Sequence, residues 1–227
     1  MALIDNIVSY WKLDGNSNDS VSTNNGTDTS ISYNASYGKI GQGALVNASS
    51  DQIITPSITG SNDWTINFWF NPSNLSSGGG TTVIKDDVSS VRIWNIYLNA
   101  TTFDFYTWDS GSNIYSDSAS HGMSNGTYYM ITARWDSTAH TSDLFVNGSR
   151  IINESNSGTA KTTGCSITVG KAPDVLGGAL GYYDEIGLWS RALTDAEITS
   201  LYNSGAGLTH PFTIISKRKI RGTGITR

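Results

Sequence analysis

Carboxylates come first among the side chains that could do chemistry here. Cleavage of a glycosidic bond normally takes two of them, about 5–5.5 Å apart for retention and about 6.5–9.5 Å apart for inversion. The 227-residue chain has only three glutamates, Glu154, Glu185 and Glu197. Glu197 follows Thr194 by three positions, which reads as a helix cap rather than an acid catalyst. Glu154 falls in a polar stretch, 153–163, that reads as a loop. Asp104 and Asp109 bracket an aromatic run, but five residues apart on a strand they start on opposite faces. His121, His140 and His210 stand in turn-like or tail contexts, and Cys165 has no histidine near it in sequence. There is no glycine-rich phosphate loop between a strand and a helix. A lone cysteine with scattered histidines excludes a Cys/His zinc site. The reactive side chains argue against an enzyme.

Sugar binding asks for less: an aromatic platform and a few polar groups in a shallow cleft. Trp94, Tyr106 and Trp108 lie on two neighbouring strand-like runs, 91–98 (VRIWNIYL) and 103–108 (FDFYTW). Facing outward, they could stack on a sugar ring. Facing inward, they are core, where aromatic strand residues most often lie.

The elements that must position these residues are short alternating runs separated by turn clusters. Residues 65–70 (TINFWF) place Ile66, Phe68 and Phe70 on one face. In 91–98 both faces are apolar, as in a central strand, with Ile93 and Tyr97 on one and Trp94, Ile96 and Leu98 on the other. Further strands are expected at 7–13, 128–135, 143–146, 151–152, 167–169 and 180–189. Asn147-Gly148 is a hairpin signal, since both positions tolerate positive φ. One helix opens at Thr194 with Ile198 and Leu201 as its apolar stripe, and Gly205 can close it. Many short strands with regular turn punctuation predict an all-β antiparallel sandwich with one short C-terminal helix. A length of 227 residues suits one such domain. The hydrophobic fraction of 37% is low, but seven Trp, 11 Tyr and six Phe can carry much of the core.

Charge is segregated. The chain has 14 basic and 19 acidic residues, and Lys217, Arg218, Lys219, Arg221 and Arg227 gather in 211–227 without an acid. An acidic body over 1–210 and a basic tail over 211–227 are therefore distinguished. Such a tail attracts an acidic protein face or a nucleic acid; of the two, nucleic acid is disfavoured. No segment approaches the ~18–20 apolar residues of a membrane span, so no membrane partner is expected. The start, Met-Ala-Leu-Ile-Asp, lacks a basic stretch followed by an apolar one.

Residues 180–207, LGYYDEIGLWSRALTDAEITSLYNSGAG, resemble the C-terminal signature of laminin-G-like domains, within the concanavalin-A-like lectin and glucanase superfamily. Residues 9–15 (SYWKLDG), 19–27 (DSVSTNNGT), 65–72 (TINFWFNP), 126–136 (GTYYMITARWD) and 144–148 (LFVNG) resemble further family segments in the expected order. The resemblance covers about residues 5–208 and implies a two-sheet jelly roll. Glucanases of the superfamily carry two glutamates on one strand; no such pair exists here, and Glu185 matches a structural position. Members often hold a structural calcium between the early acidic loop and the aspartate of the last strand. By position these are Asp19 and Asp184, with carbonyls of the Asn24-Asn25-Gly26 turn; the alternative is that Asp19 caps a turn and Asp184 pairs with a backbone N–H. Laminin-G-like domains usually sit outside cells, and some occur in phage fibres and capsid decorations. Together with the start and the basic tail, this leads to an expected virion surface protein. Its partners would be capsid or fibre proteins, further copies of itself as a homo-oligomer, and surface glycans. A secreted carbohydrate-binding or adhesion module is the alternative.

Overall fold

A computed structural model describes residues 1–75, 81–88, 91–164, 166–170 and 178–212, with the backbone alone for 81–83, 85–88 and 91. It is the antiparallel sandwich expected. One sheet runs β13 (Ser149–Ser155), β12 (Thr141–Val146), β11 (Tyr129–Asp136), β6 (Trp64–Pro72), β15 (Gly181–Trp189), β4 (Gly43–Val46) and β3 (Ser32–Asn34), with β1 (Ile7–Trp11) also pairing with β15. The other runs β10 (Ile114–Ser120), β9 (Thr102–Trp108), β8 (Val91–Leu98), β7 (Thr81–Val88), β14 (Ile167–Gly170), β5 (Gln52–Ile54) and β2 (Thr27–Thr29). Strand β15 is long enough to hold β4 along its first half and β1 along its second.

Alternation explains the inner faces. Ile66, Phe68 and Phe70 from β6 meet Ile96, Leu98, Phe103 and Phe105 from the facing sheet in the main core. The turn at Asn147 and Gly148 takes positive φ at both positions, 52° and 79°, as the hairpin signal requires.

A second apolar cluster covers the outer face of the β6 sheet. Tyr10, Trp69, Met130, Phe145 and Trp189 pack beneath Leu193, Ile198, Leu201 and Phe212. Their cover is α1 (Asp195–Tyr202), so β6 is buried on both faces. The helix starts as expected: Thr194 Oγ1 accepts from the Glu197 N–H, and Glu197 accepts from the Thr194 N–H. It stops two residues earlier than the sequence suggested, at left-handed Asn203, not at Gly205. Removal of the cap in Thr194→Ala should cost about 1 kcal/mol in urea denaturation. Glu154 is another correction. It lies within β13, because Ser142 on β12 pairs with it.

Candidate functional site

On β9 the side chains alternate strictly. Phe103, Phe105 and Thr107 are buried, whereas Asp104, Tyr106 and Trp108 are half-buried on the outer face. Neighbouring strands complete the surface through their register. Tyr97 of β8 and Ser118 of β10 flank Asp104; Asn95 and Ser116 flank Tyr106; Ile114 stands beside Trp108. Arg92, Tyr97, Asp104, Tyr106, Trp108 and Ile114 line a groove of about 420 Å³. Tyr97 meets Tyr106 edge-on at 5.6 Å, and Tyr106 lies 6.1 Å from Trp108 with the rings 25° apart. The Arg92 guanidinium lies 5.9 Å from the Trp108 ring. Ile114 is 60% exposed. Two contacts orient Asp104: Asn99 Nδ2 donates to Oδ2 at 2.7 Å and Ser118 Oγ donates to Oδ1.

Tyr106 and Trp108 thus come together as expected, and Trp94 does not join them. It is 1% exposed and packs against Trp64 at 5.7 Å. The pairing of β7 with β8 slips between Asp86 and Asp87, opposite Trp94 and Arg92. The slip accommodates Ile93 and Trp94 together in the core, breaking the alternation that placed them on opposite faces. The sequence reading missed Tyr97 and Asp104 as groove residues. Their signal was the two-residue spacing of Asp104, Tyr106 and Trp108, and the pairing of Tyr97 with Asp104 that no local pattern reveals.

Asp19 and Asp184 serve backbone donors. Asp19 Oδ1 accepts from the N–H groups of Tyr10 at 3.0 Å and Val21 at 2.9 Å; Oδ2 accepts from Ser22 Oγ at 2.5 Å and the Asn24 N–H at 3.3 Å. Burial works against its charge, but the donors from Ser22, Tyr10 and Val21 outweigh it and hold the carboxyl below its ordinary range. The Asn24 carbonyl accepts from the Trp11 indole N–H. Asp184 Oδ2 accepts from the N–H groups of Lys39 at 2.7 Å and Ile40 at 2.8 Å, while its buried Oδ1 has no partner. Calcium takes six to eight oxygens. Among the described residues, no group of three or more His, Cys, Asp or Glu could hold a metal ion. The two aspartates do not stand bare: both accept from backbone N–H groups, as the alternative to calcium has it.

Neither do the acids form a hydrolytic pair in the groove, where Asp104 is the one carboxylate among the described residues. His121 is committed too, its Nδ1 accepting from the Met123 N–H and its Nε2 bonded to the Asn99 carbonyl. Cys165 and the tail residues Lys217, Arg218, Lys219, Arg221 and Arg227 lie outside the described residues.

A family model described as the concanavalin A-like lectin/glucanases superfamily matches residues 46–199. No curated protein sequence matches the chain. Solved structures share the fold. The binding domain of Paraclostridial Mosquitocidal Protein 1 aligns with TM-score 0.72 and 18% identity over 90% of this chain and 53% of that one. The botulinum neurotoxin serotype D ligand binding domain in complex with N-acetylneuraminic acid aligns with TM-score 0.66 and 14% identity over 88% and 51%. Domain 4 of AbnA, an extracellular arabinanase from Geobacillus stearothermophilus, in complex with arabinotriose, gives TM-score 0.64 and 20% identity over 85% and 96%. The chain spans about half the length of the two toxin domains.

Proposed function

The chain belongs to the concanavalin A-like lectin/glucanases superfamily, and from that membership we propose that it is a non-catalytic carbohydrate-binding module with its ligand in the Tyr97–Tyr106–Trp108 groove. The aromatic lining of the groove carries this reading. The four largest fully buried side chains are all tryptophans in the cores, yet Tyr97, Tyr106 and Trp108 are left half-buried beside an exposed Ile114. Packing does not require that arrangement, and a sugar's apolar face would complete it. With one carboxylate in the groove, the two-acid mechanism has no second member there. The complexes of the arabinanase domain with arabinotriose and of the neurotoxin domain with N-acetylneuraminic acid support sugars as the ligand class for this fold.

A shallow groove of this kind gives weak single-site affinity; a dissociation constant of ~1 mM corresponds to only about 4 kcal/mol. Display in several copies raises avidity by ~10²–10⁴, which favours a homo-oligomer or an array at an extracellular surface. No helix among the described residues is long and apolar enough to cross a membrane. Within this reading, placement on a virion, with capsid or fibre proteins as partners and 211–227 as the anchor, rests on the contrast between the acidic body and that basic segment.

The test is a glycan array followed by calorimetry on the strongest hit. Trp108→Ala should weaken binding at least about tenfold, the loss expected of a central aromatic contact, with an unchanged circular dichroism spectrum. A blank array, or binding that survives both Trp108→Ala and Tyr106→Ala, would overturn the assignment.

A further inference from the structure

Resting on the groove as a sugar site, we propose that Asp104 sets the ligand class: a neutral sugar presenting two adjacent hydroxyls, rather than a uronic acid or another anionic sugar. Asp104 lies at one end of the outer row of β9, with Tyr97 on one side and Ser118 on the other. Its carboxylate lines the groove and is held at both oxygens, by Asn99 and by Ser118. An ionised carboxylate has about four acceptor positions. Two are taken by these orienting contacts, which leaves one on each oxygen. Two neighbouring hydroxyls on a sugar ring are the donors that match such a pair, and bonds to a charged acceptor are stronger than neutral ones. The orientation is already set by Asn99 and Ser118, so little freedom is lost on binding.

The same carboxylate repels an anionic sugar at this end. Arg92 does not cancel it. Arg92 stands over Trp108, four residues further along β9 from Asp104. The sugar that sits over Tyr97 and Tyr106 therefore meets a negative field and an acceptor-lined wall.

Glucose, galactose and mannose and their three uronic acids, displayed on one surface at equal density, test this on the full chain. At least one neutral sugar should bind about tenfold or more above its uronic acid. Asp104→Asn keeps the shape and an acceptor for Asn99, and it should both weaken neutral binding about tenfold and abolish the discrimination. Uronic acids that bind the wild type as well as neutral sugars would overturn the proposal while leaving the groove as a sugar site. So would discrimination that persists in Asp104→Asn. If no sugar of either kind binds, or all binding survives Trp108→Ala, the site itself is misassigned and this inference falls with it.

Discussion

Replacing Arg134 by methionine is expected to destabilise the fold by about 3–5 kcal/mol, the range for breaking a buried ion pair by removing one partner. Arg134 is 4% exposed on β11. Its Nε donates to Asp143 at 2.8 Å, a second guanidinium nitrogen lies 2.7 Å from the same carboxylate, and the third donates to the Leu193 carbonyl at 2.6 Å and to Asp195 at 2.9 Å. One side chain thus ties the sheet to the segment that opens α1. Methionine keeps an apolar stem over Phe145, where the guanidinium sits 5.1 Å from the ring, so the variant removes mainly charge and hydrogen bonds. Asp143, itself 0% exposed, would keep only Asn153, Thr141 and the more distant Arg150 at 3.4 Å. The Leu193 carbonyl would lose its donor. Urea denaturation of Arg134→Met and of Arg134→Met/Asp143→Leu should show the double variant recovering part of the loss, since it no longer buries an unpaired carboxylate. A loss below about 1 kcal/mol in the single variant would mean that the network is not what docks the helix. Sugar binding should persist while Arg134→Met remains folded, because the groove lies on the other sheet.

Stability is expected to fall as pH rises from about 4 to about 8, on the order of a few kcal/mol. The cause is Asp184 and Glu185, adjacent on β15. Pairing with β6 slips between Asp184 and Gly187, and Glu185 takes a φ of 50° within the slip. Both acids are 0% exposed. Burial pushes Asp184 up to about 8; the N–H groups of Ile40 and Lys39 oppose the rise, and the charge of Glu185 adds to it. Burial likewise pushes Glu185 up to about 7, against the bonds from Tyr10 and Thr209. Lys12 and Asp14 are the nearby charges acting on Glu185, with opposite signs. Each acid holds its proton longer in the fold than in the unfolded chain. Their contribution is therefore fully present below the unfolded values near 4 and is lost as pH rises through 7 and 8. Asp19, Asp109, Asp195 and Glu197 are shifted the other way, so stability should also decline on strong acidification. Melting temperatures from pH 4 to 9 check this. The decline should flatten in Asp184→Asn/Glu185→Gln, where the new side-chain amide at position 184 can still accept from the N–H groups of Lys39 and Ile40. A wild-type curve that rises across this window would refute the buried-acid account.

How much of this was visible beforehand differs from element to element. The cap at Thr194 and the turn at Asn147-Gly148 were legible because their partners lie within a few residues, so spacing alone specifies the hydrogen bonds. The inner face of β6 was legible because Ile66, Phe68 and Phe70 repeat at a period of two. Strand β10 was not: IYSDSAS is mostly exposed, with only Tyr115 and Ala119 reaching the core, and its pairing with β9 sets its place in the sheet. The acids of β15 were read by position in a family signature. Their engagement with Lys39, Ile40 and Tyr10 depends on contacts across more than 140 residues.

The aromatic site shows where the boundary lies. Composition and spacing were enough to establish an all-β chain with surplus aromatics, only three glutamates, and alternation in 103–108 that puts Tyr106 with Trp108. Which of the two β9 faces meets solvent was beyond them, because alternation separates two faces without saying which one the second sheet covers. The facing sheet buries Phe103 and Phe105 and leaves Tyr106 and Trp108 outside. Trp94 goes inward with Ile96 and Leu98, on the face its own alternation gives it, and the slip beside it turns Ile93 inward as well. Register then brings Tyr97 and Ser118 beside Asp104, from strands whose pairing is set by long-range closure of the sheet rather than by any local preference.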